Sequence, residues 1–407
     1  MFATALALIA QEFEGRERAK AIGIWGATVG GAVAIGPLVG GVITEALGWE
    51  WIFFINVPIG GLAVYLTQKQ LANVPATDYY PVDWGGLITF SLSLFALIFG
   101  LIRGNAEGWG SAPILASLIG AAVLMIAFFV IESRREHAML DLSLFKVSSF
   151  TGANAVAFAL SATQFSLFLY ITLFLQDIVG LEPLAAGACF LPLSLLSFFV
   201  APISANMSNR FPVQYLMGIG LTLAGIGLLL MGGVNPGDDW TTLLPGLIVS
   251  GIGVGMVNPL IAEVALGVVH PARAGMASGI NSTFRQIGIS TGVAGLGVVF
   301  HSQITEQLSA VPSQFREGFA DAVSAGAIDR AAAAAPPELQ QQLISTGEAA
   351  FTTGFNEIMM IGGILAIIGG AVAALLIRRR DFVELGPPAG DGGASGEGEP
   401  QPAPAQA

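Results

Sequence analysis

The sequence predicts an all-α polytopic membrane protein, and three observations carry that prediction. Of the 407 residues, 54% are apolar and only 11% are charged, with a mean hydropathy of +0.73. So little polar surface cannot enclose a water-soluble core of this size. Windows of about 20 apolar residues, the length that crosses a bilayer, recur along the chain. Between them Lys and Arg gather in alternate connections, the asymmetry that orients helices in a membrane.

Taken in order, residues 1–11 are apolar but make only half a span. No charged segment precedes them and no small-residue cleavage site follows, so they are a poor signal peptide. Spans are expected at 21–44, 51–69, 85–103, 111–131, 150–175, 184–205, 213–233, 241–266, 275–300 and 354–377, roughly ten complete helices plus the partial one. The first window carries Gly23, Ala32, Gly36-Pro37 and Gly40-Gly41. Small residues four apart let another helix approach closely in lipid, and Pro37 removes one backbone donor and bends the helix.

Alternate threading places Arg16, Arg18, Lys20, Lys69, Arg134, Arg135, Lys146, Arg210, Arg273 and Arg378 to Arg380 on one side. The other side receives Arg103, with Arg316 and Arg330 in a long connection. The carboxyl terminus is therefore expected in the cytoplasm, and the chain in the cell membrane. Residues 301–350 are expected to form an extracytoplasmic connection, a solvated spacer in preference to a binding lid. Within it Phe315, Phe319 and Val323 recur every four residues and predict a short amphipathic helix on the membrane surface, before Pro336-Pro337. Residues 381–407, rich in Gly, Pro, Ala and Glu, are expected to be a disordered tail.

Several classes are excluded. One cysteine, Cys189, allows no internal disulfide. His137, His270 and His301 are too scattered for a metal cluster. No P-loop or catalytic grouping of His, Cys and Asp is present, so no enzyme, cofactor or metal is expected. The net charge of −12 owes part of its size to the tail and the long connection and identifies no partner. Nothing points to nucleic acid.

An ionisable group in hydrocarbon is costly and is a functional candidate by default. Arg285 lies about ten residues into its helix, roughly 15 Å deep. It reads either as a cavity-facing cation that orders Gln286, Ser282 and Asn281, or as a structural charge satisfied by backbone carbonyls. Glu263, just after Asn258-Pro259, either takes up a proton when buried or, the reading the sequence favours, is a partly hydrated snorkelling carboxylate. Asn154, Gln164, Gln176 and Asn258 are uncharged polar groups on apolar helices. They line a substrate path with Phe165, Phe168, Tyr170 and Phe174, or they serve as interhelical hydrogen bonds.

The spacing of Gly23, Ala32, Gly36-Pro37 and Gly40-Gly41 resembles the antiporter motif in the fifth helix of major facilitator superfamily exporters, with Ala32 in place of a glycine. Trp49 to Gly60 resembles the entry to the sixth helix in the fourteen-spanning drug:proton antiporter branch. Asp141 to Phe145, Leu175-Gln176, Pro183 to Gly187, Leu191-Pro192 and residues 273–288 are similar to later family segments, and Arg285-Gln286 to the family's Arg-Gln pair. Residues 205–214 resemble its second gate loop in degenerate form. Ala205, Asn209 and Pro212 replace Gly, Asp and Gly, and Arg210 survives without a charge partner.

That resemblance implies a major facilitator fold lacking about its first three and a half helices. Residues 1–70 would be the remnant of the amino-terminal bundle, 71–140 two additional linker helices, and 141–380 the carboxyl-terminal six-helix bundle. It implies a proton-coupled multidrug exporter working by alternating access, with a small lipophilic substrate, protons and the bilayer as partners. The alternatives are an inactive fragment, a non-transporting scaffold, or a chain completed by a second one that supplies the missing helices.

Overall fold

The computed structural model describes residues 15–70, 83–135, 140–270, 273–311 and 313–383, together with 5, 8, 9, 12 and 13. Among the described residues all regular structure is helical. The helices are α1 (Gly15–Leu47), α2 (Trp51–Gln70), α3 (Trp84–Glu107), α4 (Ala112–Arg134) and α5 (Ser148–Ile178). Next come α6 (Pro183–Cys189 with Leu191–Met207), α7 (Val213–Met231), α8 (Leu244–Gly267) and α9 (Ala274–Gln307). The last three are α10 (Ser313–Ser324), α11 (Ile328–Ala333) and α12 (Pro337–Leu376).

Eight of these are long and apolar enough to cross a membrane, or nine if the two parts of α6 form one span. This corrects the expected ten complete spans and one partial. The window 184–205 is two helices bent by 41°. Pro192, just inside the second, has no N–H to give the carbonyl of Ala188, so the ladder breaks there. The window 21–44 lies within α1, where only Leu38–Leu47 counts as a shorter apolar helix. Several α1 side chains, that of Pro37 included, fall outside the described residues, as does most of segment 1–11.

Helices α5 to α9 and α12 pack into one bundle, and α3 and α4 form a hairpin that leans on α9. The Ser93 hydroxyl donates to the carbonyl of Ala121 at 2.8 Å, and that of Ser117 to Ala96 at 2.6 Å. Such bonds join helices where lipid offers no hydrophobic drive. Glycine permits the tightest approach in the bundle. A Cβ on Gly225 of α7 would lie 2.6 Å from the Gly363 carbonyl oxygen of α12. By contrast α2 buries no residue and presents its apolar side chains outward, as a lipid-facing span does.

One end of the bundle is basic. There Arg273 pairs with Asp141 in front of α5, and Arg135 pairs with Asp83 at 3.2 Å below the α3–α4 hairpin. After α12 the chain turns back across this end as a strap. The Ser149 hydroxyl donates to Asp381 Oδ2 at 2.7 Å and the Val383 N–H to the Gly267 carbonyl at 3.0 Å. Asp381 is thus part of the folded structure, and the expected tail from 384 onward lies outside the described residues.

At the opposite end, α9 and α12 run on well past the expected spans, and α10 and α11 fill the gap between them. Phe319 and Val323 are buried in the apolar core of that end, whereas Phe315 is 62% exposed. The predicted amphipathic helix is present, but two of its three recurring residues face the bundle instead of a membrane surface. Gly347 of α12 makes room, since a Cβ there would stand 3.4 Å from the Phe319 ring.

Candidate functional site

A chain of polar side chains crosses the bundle interior around Arg285. The guanidinium donates through Nη1 to Asn258 Oδ1 at 3.0 Å and through Nε to Asn281 Oδ1 at 3.3 Å. Asn281 Nδ2 donates to Asn154 Oδ1 at 3.2 Å, and Asn154 Nδ2 to the Phe150 carbonyl at 2.9 Å. Helices α8, α9 and α5 are joined by these four groups. Amide oxygens oriented toward a guanidinium offset much of its desolvation without neutralising it. Among the described residues no carboxylate lies within ion-pair distance of Arg285. Side-chain amides, and not backbone carbonyls, are therefore the partners of this partly buried cation among the described residues. Gln286 is exposed on the other side of the helix.

The residue after Asn258 connects this chain to a second feature. Helix α1 lies along both parts of α6 and against α8. A Cβ on Gly26 would stand 3.4 Å from Cβ of Pro259, and one on Gly23 would stand 3.9 Å from Cβ of Ala205. At the far end of the seam a Cβ on Gly41 would come within 2.7 Å of the Leu184 backbone. The structure thus brings Gly23 and Gly41 of the expected motif to the seam, while a Cβ on Gly36 or Gly40 would meet nothing within 4 Å among the described residues, and Ala32 is exposed. Gly26 and Gly31, the latter facing Phe198 at 3.4 Å, are seam residues that the motif spacing did not mark. Gly26 sits three positions after Gly23, on the same helix face, and that was the available signal.

Two cavities open at the basic end. A cleft of about 1200 Å³ lies between α1 and the turn from α6 to α7, with Lys20, Gly23, Pro202, Asn206 and Arg210 on its walls. A smaller one of about 530 Å³ lies between that turn, the end of α8 and the strap, and contains Arg210, Glu263, Arg379 and Arg380. Glu263 is half-buried there.

The other expected path residues lie apart from these cavities. Gln164 is buried in a π-turn, Ser161–Phe165, that interrupts α5. Its Nε2 donates to the Ala224 carbonyl at 2.9 Å and to the Ser250 hydroxyl at 3.3 Å, and its Oε1 has no hydrogen-bond partner among the described residues. Gln176 lies in a second π-turn, Phe174–Ile178, at the end away from the arginines. Tyr170 and Phe174 are buried against Phe300 and Phe355, so both rings are core.

Residues 1–293 match the model of the Major Facilitator Superfamily. The chain belongs to that superfamily. The match begins at residue 1 and gives no evidence for the expected loss of the first three and a half helices, so that expectation is withdrawn. The chain is 30% identical over 306 residues to multidrug resistance protein 3 of Bacillus subtilis, covering 75% of this chain and 60% of that protein. It is 29% identical over 400 residues to the tetracenomycin C resistance and export protein of Streptomyces glaucescens, covering 94% of this chain and 73% of that protein. A crystal structure of a bacterial homolog of the human lysosomal transporter Spinster aligns loosely, with a TM-score of 0.47 and 17% identity over 94% of this chain and 86% of that one. The chain spans about 60% of the length of the first curated relatives it matches. It is a multi-pass membrane protein of a transporter family.

Proposed function

We propose that the chain is a proton-coupled secondary transporter that exports small lipophilic, drug-like molecules by alternating access, with its basic end in the cytoplasm. The observation that carries this reading is the line from Arg285 through Asn258 and Pro259 to Gly26. It ties a charge inside the bundle to the seam along which α1 meets α6 and α8. A rocking transporter must break and remake such a seam around a midplane site. The 1200 Å³ cleft beside the seam is large enough for a drug-sized molecule, and the relatives are resistance and export proteins.

The orientation follows from Arg210, Arg273 and Arg378 to Arg380 sharing one end. In this reading α3 and α4 are the linker hairpin and α5 to α12 the carboxyl-terminal unit. Glu263 is the proton acceptor, with Asn258 five positions before it on α8. The charged groups sharing its cavity are Arg210, Arg379 and Arg380. A carboxylate there is reached by water from the basic end, and a movement that buried it would favour its protonated form.

Everted membrane vesicles containing the protein test the reading. With an acid interior, ethidium fluorescence should fall as the dye is taken up, and collapse of the gradient with nigericin should return it. Uptake equal to that of vesicles without the protein would overturn the proposal.

A further inference from the structure

We propose that the cavity between the α6–α7 turn and the strap is a binding site for a phosphate-bearing anion. Three guanidiniums, those of Arg210, Arg379 and Arg380, line a space of about 530 Å³ that also contains Gln214 and the single carboxylate of Glu263. The wall therefore has a positive excess. Among the described residues neither Arg210 nor Arg379 makes an ion pair, and Glu263 lies beyond ion-pair distance of all three.

The strap that carries two of these arginines is anchored through its backbone, while the side chains of Arg210, Arg379 and Arg380 are themselves exposed. Arg380 Nε is 3.9 Å from Asp381 Oδ1, but the other oxygen of that carboxylate accepts from the Ser149 hydroxyl and N–H, at 2.7 and 3.1 Å. Asp381 thus anchors the strap and pairs only with Arg380, which leaves the Arg210 and Arg379 guanidiniums available among the described residues. The Arg378 N–H donates to the Ser149 hydroxyl at 2.7 Å, and the Phe382 ring rests on Gly267. The turn and the strap face each other across the cavity, so an anion would bridge them.

Phosphate suits this arrangement because guanidinium presents paired donors to its oxygens. The cavity lies where α6, α7, α8 and α12 end, the depth of lipid headgroups, and basic pockets of this kind take anionic headgroups. Free phosphate would satisfy the same donors from the aqueous side. The site does not depend on the chain being a pump.

Native mass spectrometry of the detergent-solubilised full chain decides the matter, with phosphatidylglycerol, phosphatidylcholine and inorganic phosphate as probes. Phosphatidylglycerol should be retained about tenfold over phosphatidylcholine, and R379Q/R380Q and R210Q should each remove most of that preference. R379K/R380K should keep part of it, and Arg134→Gln, outside the cavity, should keep all of it. Competition by millimolar phosphate would assign the site to a soluble anion, and its absence to a headgroup. If R379Q/R380Q misfolds, R210Q alone carries the comparison. Equal retention of the two lipids with no phosphate binding, or a preference unchanged in a folded R210Q, would overturn the proposal.

Discussion

The guanidinium of Arg285 holds the amide oxygen of Asn258 at 3.0 Å, one residue before the proline against which Gly26 of α1 is seated. A charge on α9 thereby fixes the part of α8 that forms the wall of the seam. Pro259 cannot donate to the carbonyl of Gly255, so this stretch of α8 is the point where a side-chain tether has most influence on helix shape.

Replacing Arg285 with Gln shortens the donor and removes the charge. Initial ethidium uptake should fall about tenfold, the size expected for losing a charge-assisted hydrogen bond. Arg285→Lys retains the charge but not the two-pronged contact with Asn258 and Asn281, and its rate should be intermediate. Fluorescence traces at matched protein levels give both values.

The seam glycines should separate sharply from the others. Gly41→Val places a side chain into the Leu184 backbone and should cost about 1–3 kcal/mol through overpacking. Gly36→Val meets open space and should cost well under that. Melting temperatures in detergent, measured on both variants, should differ in that order.

Much of the spanning pattern was legible in the sequence because hydrocarbon thickness dictates run length. The windows for α2, α3, α4, α5, α7 and α8 coincide with helices, and those for α9 and α12 fall on longer ones. The bend in α6 was not, because a proline near a helix start is common and Pro192 does not reveal from sequence that another helix precedes it. The depth of Arg285 could be counted along its helix, but its partners Asn258 and Asn154 come from α8 and α5, and only packing brings them together. For Gln164 the π-turn decides the outcome. It directs the amide into the α7–α8 contact, and one-dimensional spacing does not show such a turn.

Asn154 and Asn281 should couple. Single replacements by Ala and the double replacement form a cycle, and membrane hydrogen bonds of this type are worth about 0.6 kcal/mol on average. Unfolding monitored by circular dichroism should return an interaction energy of that order, with Asn281→Ala also lowering transport through its contact with Arg285.

Asp141 gives a pH signature at the basic end. Hydrogen bonding from Ser143, followed by the charges of Arg273 and Lys146, holds its carboxyl below the usual carboxylate range against the opposing effect of burial. A depressed value in the folded state means that the stabilisation is fully present above the unfolded carboxylate's range and is lost as pH falls through the folded value. Arg273 is half exposed, so screening limits the effect to about 0.5 kcal/mol. Thermal melts across the acid range should show this loss in the wild type and not in Asp141→Asn.

The most direct measurement uses the opposition of Gly23 and Ala205. Their Cβ positions lie 3.9 Å apart, within disulfide reach. Gly23→Cys with Ala205→Cys, in a Cys189→Ala background, should cross-link on oxidation, arrest pH-driven ethidium uptake, and recover uptake on reduction. Transport by the cross-linked protein at the reduced protein's rate would contradict a mechanism in which the α1 seam opens.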